Sequence, residues 1–127
     1  MSEPLRVLMV EDQEELRELI GQALRDFGID VHTANDGPEA VRVIDENGDF
    51  DVVFSDVNMR NNMSGLELSA HVAEVLPNAR MILASGYARA QLPPLPERVE
   101  FLAKPYRLKQ LVTLLKSPAA TGDAAAV

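Results

Sequence analysis

With 127 residues, 13.9 kDa, 46% hydrophobic and 25% charged side chains, the chain has the size and composition of one globular domain, which excludes wholesale disorder. The absence of cysteine rules out disulfide frameworks, thiolate metal sites and cysteine nucleophiles together. A net charge of −8 gives a surface that repels nucleic acid and anionic lipid, so neither is expected as a direct partner. Leu5 to Val10 is a short apolar run that stops at two acids, the pattern of a buried strand. Leu16, Ile20, Ala23, Leu24 and Phe27 then recur at helical spacing, and Gly28 ends that helix. Ile29 to Ala34 is a second strand. Asp36-Gly-Pro-Glu39 has the form of a capping box and opens a helix whose apolar stripe is Ala40, Val41 and Ile44, ended by Asn47-Gly48.

The pattern repeats along the rest of the chain. Phe50 to Ser55 is a third strand, and Asp56 to Met63 a polar loop. Ser64-Gly-Leu-Glu67 is a second capping box, followed by Leu68, Val72, Val75 and Leu76 on one helical face. Arg80 to Ala84 and Val99 to Ala103 are the fourth and fifth strands. Leu108, Leu111, Val112 and Leu115 mark the last helix, and residues 117–127 are small and polar, expected to be a disordered tail. Between the last two strands Pro93, Pro94 and Pro96 oppose helix, so any helix there is expected to be shortened or absent. No apolar run is long enough to span a membrane and the N-terminus lacks signal-peptide order, so a cytoplasmic location is expected.

Alternating strands and helices indicate βαβ units and a parallel sheet covered on both faces. Right-handed crossovers make the α/β doubly wound order 2-1-3-4-5 the natural arrangement at this length. Chemistry in such folds gathers at the carboxyl ends of the strands. There the chain offers Glu11 and Asp12 after strand one, Asp56 after strand three, Ser85 after strand four and Lys104 after strand five. Each alone is a common turn or cap residue. Jointly they bring three carboxylates, a hydroxyl and an ammonium to one crevice.

Three adjacent carboxylates need a counter-charge. Mg²⁺, which takes oxygen ligands and keeps its waters, suits them better than zinc, since neither histidine nor cysteine is near. Asp12 and Asp56 are the expected direct ligands, with Glu11 direct or through water. Lys104 can be a plain ion-pair partner or can hold a phosphoryl oxygen that arrives later. An Asp carboxylate can itself be the nucleophile and form an aspartyl phosphate. Asp56, central in the sheet, is the best placed for this.

These motifs resemble the receiver domain of the two-component response-regulator family. They are Val7-Leu-Met-Val-Glu11-Asp12, Asp51-Val-Val-Phe-Ser-Asp56-Val-Asn-Met59, Ile82-Leu-Ala-Ser85-Gly-Tyr and Phe101-Leu-Ala-Lys104-Pro105. The resemblance implies a flavodoxin-like receiver fold over residues 1–116. It also implies that Asp56 accepts a phosphoryl group from the phosphohistidine of a sensor histidine kinase or phosphotransfer protein. It makes Glu11 and Asp12 the acidic Mg²⁺ pair, the main-chain carbonyl of Asn58 a further metal ligand, Ser85 the switch hydroxyl, Phe101 the switch aromatic and Lys104 the lysine that contacts the phosphoryl group. Such a domain assists its own phosphorylation and dephosphorylation rather than working as an ordinary enzyme.

Met59-Arg-Asn-Asn-Met-Ser-Gly65 departs from the family's usual Met-Pro and is one residue longer, resembling receivers associated with hybrid sensor kinases. With no effector domain after the last helix, a stand-alone regulator is expected, acting on a downstream protein target or by onward phosphotransfer. A flavodoxin is disfavoured because Glu11 to Glu15 would repel a flavin phosphate. A haloacid-dehalogenase-type phosphatase is disfavoured because Asn58 stands where its second acid belongs. The rival in another class is a receiver-like binding module that works without phosphorylation. His32 and His71 are expected to lie away from the crevice.

Overall fold

The computed structural model describes residues 4–57, 63–86 and 98–117. Five strands form one parallel sheet in the order β2-β1-β3-β4-β5: β1 Arg6–Val10, β2 Asp30–Ala34, β3 Val52–Asp56, β4 Arg80–Ser85 and β5 Val99–Ala103. The described helices are α1 Glu14–Asp26, α2 Gly37–Asn47, α3 Gly65–Val75 and α4 Leu108–Lys116. The doubly wound order expected from the alternation of elements is therefore present. The segment carrying Pro93, Pro94 and Pro96 and the tail from residue 118 lie outside the described residues.

Each strand splits its side chains between two cores, as the period of two requires. Val7, Met9, Val52, Phe54, Ile82 and Ala84 meet Ile20 and Leu24 of α1 and Leu111, Val112 and Leu115 of α4. Leu8, Val10, Val53, Met81 and Leu83 meet Ala40 and Ile44 of α2 and Leu68 and Val72 of α3. Burial on both faces is why these strands read as continuous apolar runs.

Local signals shape the helix ends with two corrections. The Ser64 box closes fully: Ser64 Oγ accepts from the Glu67 N–H at 3.1 Å, and Glu67 Oε1 accepts from the Ser64 N–H at 3.4 Å. At α2 only half of the expected box forms. Asp36 Oδ1 accepts from the Glu39 N–H at 2.8 Å, but Glu39 Oε1 accepts from the Asn35 N–H at 2.6 Å, one residue further out. Gly48, with φ 74°, ends α2, and Gly28, with φ 83°, follows α1. Both occupy left-handed backbone that costs a larger residue energy.

The second correction concerns the apolar stripes. Phe27, Val75 and Leu108 are exposed rather than in the core, and each lies at or next to a helix end.

Candidate functional site

The sheet register builds the site. Val10 pairs with Ser55, Asp56 with Ala84 and Ser85 with Ala103. The residues one step further on β1 and β5, Glu11 and Lys104, thus arrive beside Asp56 and Ser85. Main-chain bonds extend the ladder past the strand ends: Glu11 N–H to Ala34 O at 3.0 Å, Val57 N–H to Ala84 O at 3.0 Å and Lys104 N–H to Ser85 O at 2.8 Å. Asp56 and Ser85 are the last residues of β3 and β4 rather than the first of the loops that follow.

Glu11, Asp12 and Asp56 each offer a carboxylate oxygen, and the three oxygens lie within 4.8 Å of one another. Asp56 is also held by Lys104, whose Nζ is 2.6 Å from Oδ1. The Asp56 side chain is only 11% exposed, against 33% for Lys104. The ammonium thus approaches a sunken carboxylate from the solvent side, where it can also meet a group bound to that carboxylate. The Lys104–Pro105 bond is cis.

Glu11 is buried, and burial pushes its carboxyl up to about 7. The Gln13 N–H, which donates to Oε2 at 3.0 Å, opposes this rise, while the Asp56 charge adds to it. The rise is mainly the cost of holding a charge where little water reaches it. Three hard oxygen donors, with no nitrogen or sulfur ligand in the cluster, fit a small divalent cation such as Mg²⁺.

The structure brings together Glu11, Asp12, Asp56 and Lys104 as the sequence placed them. Ser85 is buried at the end of β4, and Phe101 is buried on β5. Asn58 lies outside the described residues, as do Met59 and Arg60. His32 packs edge-on against Phe50 at 5.4 Å, and His71 faces Asp45 across α2 and α3 at 3.7 Å, both away from the site.

Three residues near the site had no signal of their own in the sequence. Arg17 Nη1 donates to the main-chain oxygen of Glu11 at 2.9 Å. Tyr106 packs edge-on against Phe54, and burial followed by the charges of Asp56 and Glu11 pushes its phenol upward, which keeps it protonated. Gly65 stands against the main chain of Asp56: a Cβ there would collide with the Asp56 carbonyl oxygen and lie 2.8 Å from Leu83 Cδ2. The Ser64-Gly65 pair reads as a helix start; that it is also a point of close approach follows only from the Gly65 N–H bonding Val57 O at 2.7 Å.

The doubly wound topology thus gathers an acidic cluster and a lysine at the carboxyl edge of the sheet, at its topological switch point. Residues 7–116 match the response regulator receiver domain family, and the chain belongs to it. It is 39% identical over 114 residues to the sensor kinase CckA of Brucella abortus, covering 87% of this chain and 12% of that protein. It is 29% identical over 110 residues to the response regulator receiver protein CpdR of the same organism, covering 84% of this chain and 90% of CpdR.

Among solved structures, the receiver domain of the hybrid histidine kinase CckA matches with a TM-score of 0.75 at 34% identity, covering 87% of this chain and 95% of that one. The Thermotoga maritima response regulator TrrA, solved with Mg²⁺ and beryllofluoride, matches with a TM-score of 0.70 at 29% identity, covering 87% and 98%.

Proposed function

We propose that Asp56 accepts a phosphoryl group from a phosphohistidine on a sensor histidine kinase or phosphotransfer protein, and that the phosphorylated chain then signals by docking on a downstream protein or by onward transfer. The observation that carries this reading is a sunken Asp56, held by Lys104 at 2.6 Å and gathered with Glu11 and Asp12 within 4.8 Å.

In the transfer, an Asp56 carboxylate oxygen attacks phosphorus. A new O–P bond forms as the P–N bond to the donor imidazole breaks, leaving a mixed anhydride on Asp56. Glu11, Asp12 and Asp56 would hold Mg²⁺, with the Asn58 carbonyl as a further ligand. When bound, that ion supplies positive charge against the phosphoryl oxygens. Lys104 then gives up part of its bond to Asp56 and turns its ammonium to a phosphoryl oxygen. The Ser85 hydroxyl donates to another, and Phe101 follows as the switch aromatic. CpdR, which this chain nearly spans, supports a regulator built from the receiver alone. An acidic surface suits protein partners rather than nucleic acid.

Incubating the protein with a small acyl phosphate and Mg²⁺, then weighing it intact by mass spectrometry, is the test. Wild type gains one phosphoryl group and Asp56→Asn gains none. Undiminished phosphorylation of Asp56→Asn overturns the assignment, and an unmodified wild type favours the reading in which the chain binds partners without phosphorylation.

A further inference from the structure

The acidic pair depends on how the chain leaves β1. Glu11 and Asp12 occupy the turn between β1 and α1, so the direction of both carboxylates follows from main-chain angles over two residues. Helix α1 begins without the usual local lock: its N-cap, Gln13, makes no side-chain capping bond. Bonds made by Glu11 help to tie the turn instead. Glu11 N–H bonds Ala34 O at 3.0 Å, Glu11 Oε2 accepts the Gln13 N–H at 3.0 Å, and Glu11 O accepts Arg17 Nη1 at 2.9 Å. The Arg17 bond ties this turn to the body of the helix, since Arg17 N–H also bonds Gln13 O at 2.9 Å within α1.

We propose that Arg17 is a positioning residue for the cation site: its guanidinium fixes the Glu11–Asp12 turn from the second turn of α1 and so aims both carboxylates at Asp56. This inference rests on the reading of Glu11, Asp12 and Asp56 as a Mg²⁺ site. It predicts an effect of opposite sign to simple electrostatics. A guanidinium near a cation site repels the cation, so deleting it should tighten Mg²⁺ binding if charge were its whole contribution. If Arg17 orients the ligands, deleting it loosens binding, because residues that orient metal ligands typically contribute about tenfold to a hundredfold in affinity.

The experiment is a Mg²⁺ titration of the full chain at fixed ionic strength, followed by amide NMR shifts, for wild type, Arg17→Met, Arg17→Lys and Asp12→Asn. Positioning predicts wild type tightest, Arg17→Lys next and Arg17→Met about tenfold or more weaker than wild type, because lysine restores a donor together with the repelling charge. Arg17→Met binding as tightly as wild type, or more tightly, overturns the proposal.

Asp12→Asn separates the two levels of the argument. If it loses Mg²⁺ binding, the cation site stands and the order of the Arg17 variants decides. If it binds like wild type, the site reading fails and the inference falls with it. A second readout needs no metal: the Gln13 amide of Mg²⁺-free protein should exchange faster in Arg17→Met than in wild type, at matched urea midpoints. An unchanged Gln13 rate also counts against the proposal.

Discussion

Lys104 and Gly65 both act on Asp56, one through its carboxylate and the other through its main chain. Lys104 Nζ, 2.6 Å from Asp56 Oδ1, competes with any cation for that oxygen. Lys104→Ala is therefore expected to bind Mg²⁺ as tightly as wild type or more tightly. It should nevertheless give a weakened NMR response to beryllofluoride, because in the proposed transfer the ammonium turns to the phosphoryl group. A full wild-type shift pattern in Lys104→Ala would remove the lysine from that role. Gly65 offers no such flexibility: the obstacle to a Cβ is the carbonyl oxygen of Asp56 itself, and backbone in a central strand cannot step aside cheaply. Gly65→Ala should cost about 1–3 kcal/mol in urea unfolding and slow the phosphorylation of Asp56 by a small acyl phosphate. A variant as stable and as reactive as wild type would show that α3 can shift to make room.

At the scale of elements, a buried ion pair fastens the last helix to the sheet. Arg80, at the start of β4, reaches Glu100 of β5 through two bonds, Nε to Oε2 at 2.9 Å and Nη2 to Oε1 at 2.7 Å. Its remaining donors meet the main-chain oxygens of Leu114, Leu115 and Ser117 at 3.0, 3.2 and 2.9 Å. The guanidinium thus closes the C-terminal end of α4, where carbonyls otherwise lack partners and the helix dipole favours a cation. With Glu100 only 3% exposed and Arg80 12%, removing one partner strands a buried charge. Arg80→Met is expected to lose about 3–5 kcal/mol, read as a lower urea midpoint at unchanged slope. A loss under about 1 kcal/mol would place the pair among ordinary surface bridges. Glu100 adjoins Phe101, and Ser85 ends the strand that Arg80 begins, so the same anchor fixes the two strands that carry Ser85 and Phe101.

For the whole molecule, the acidic site is expected to make stability depend on pH and, through the proposed cation site, on Mg²⁺. The Glu11 carboxyl rises from 4.5 to about 7 on folding. A raised pKa means that the folded protein binds the proton more tightly, so the associated stability is complete below about 4.5 and is lost as pH rises through about 7. Metal-free protein should therefore lose stability between pH 5 and 8, by about 3 kcal/mol at most from this group. Thermal melts of Glu11→Gln should show a flatter profile over that interval, and equal slopes for the two proteins would contradict the shift. If the proposed Mg²⁺ site holds, the ion should reverse the trend by binding the ionised site of the folded chain: at 100 times its dissociation constant a ligand adds about 2.7 kcal/mol. Its stabilisation should be larger at pH 8 than at pH 5. No helix among the described residues is long and apolar enough to cross a membrane.

The sequence by itself determined the alternation of strands and helices, the order of the sheet and the residues at its carboxyl edge. These follow from short-range regularities: apolar runs of five or six residues, helical spacing, and polar groups that cap what is next to them. The Ser64 box, closed within four residues, was legible for that reason, and so was the placing of Glu11, Asp12, Asp56 and Lys104 at successive strand ends. Tertiary structure alone decided the rest. Arg80 meets partners 20 to 37 residues away, and arginine at a strand start has no pattern that foretells a helix end. The clearance at Gly65 depends on how closely α3 approaches β3. The burial that raises Glu11 depends on everything packed over β1, and a carboxylate written beside Asp12 in the sequence carries no mark of how little water will reach it.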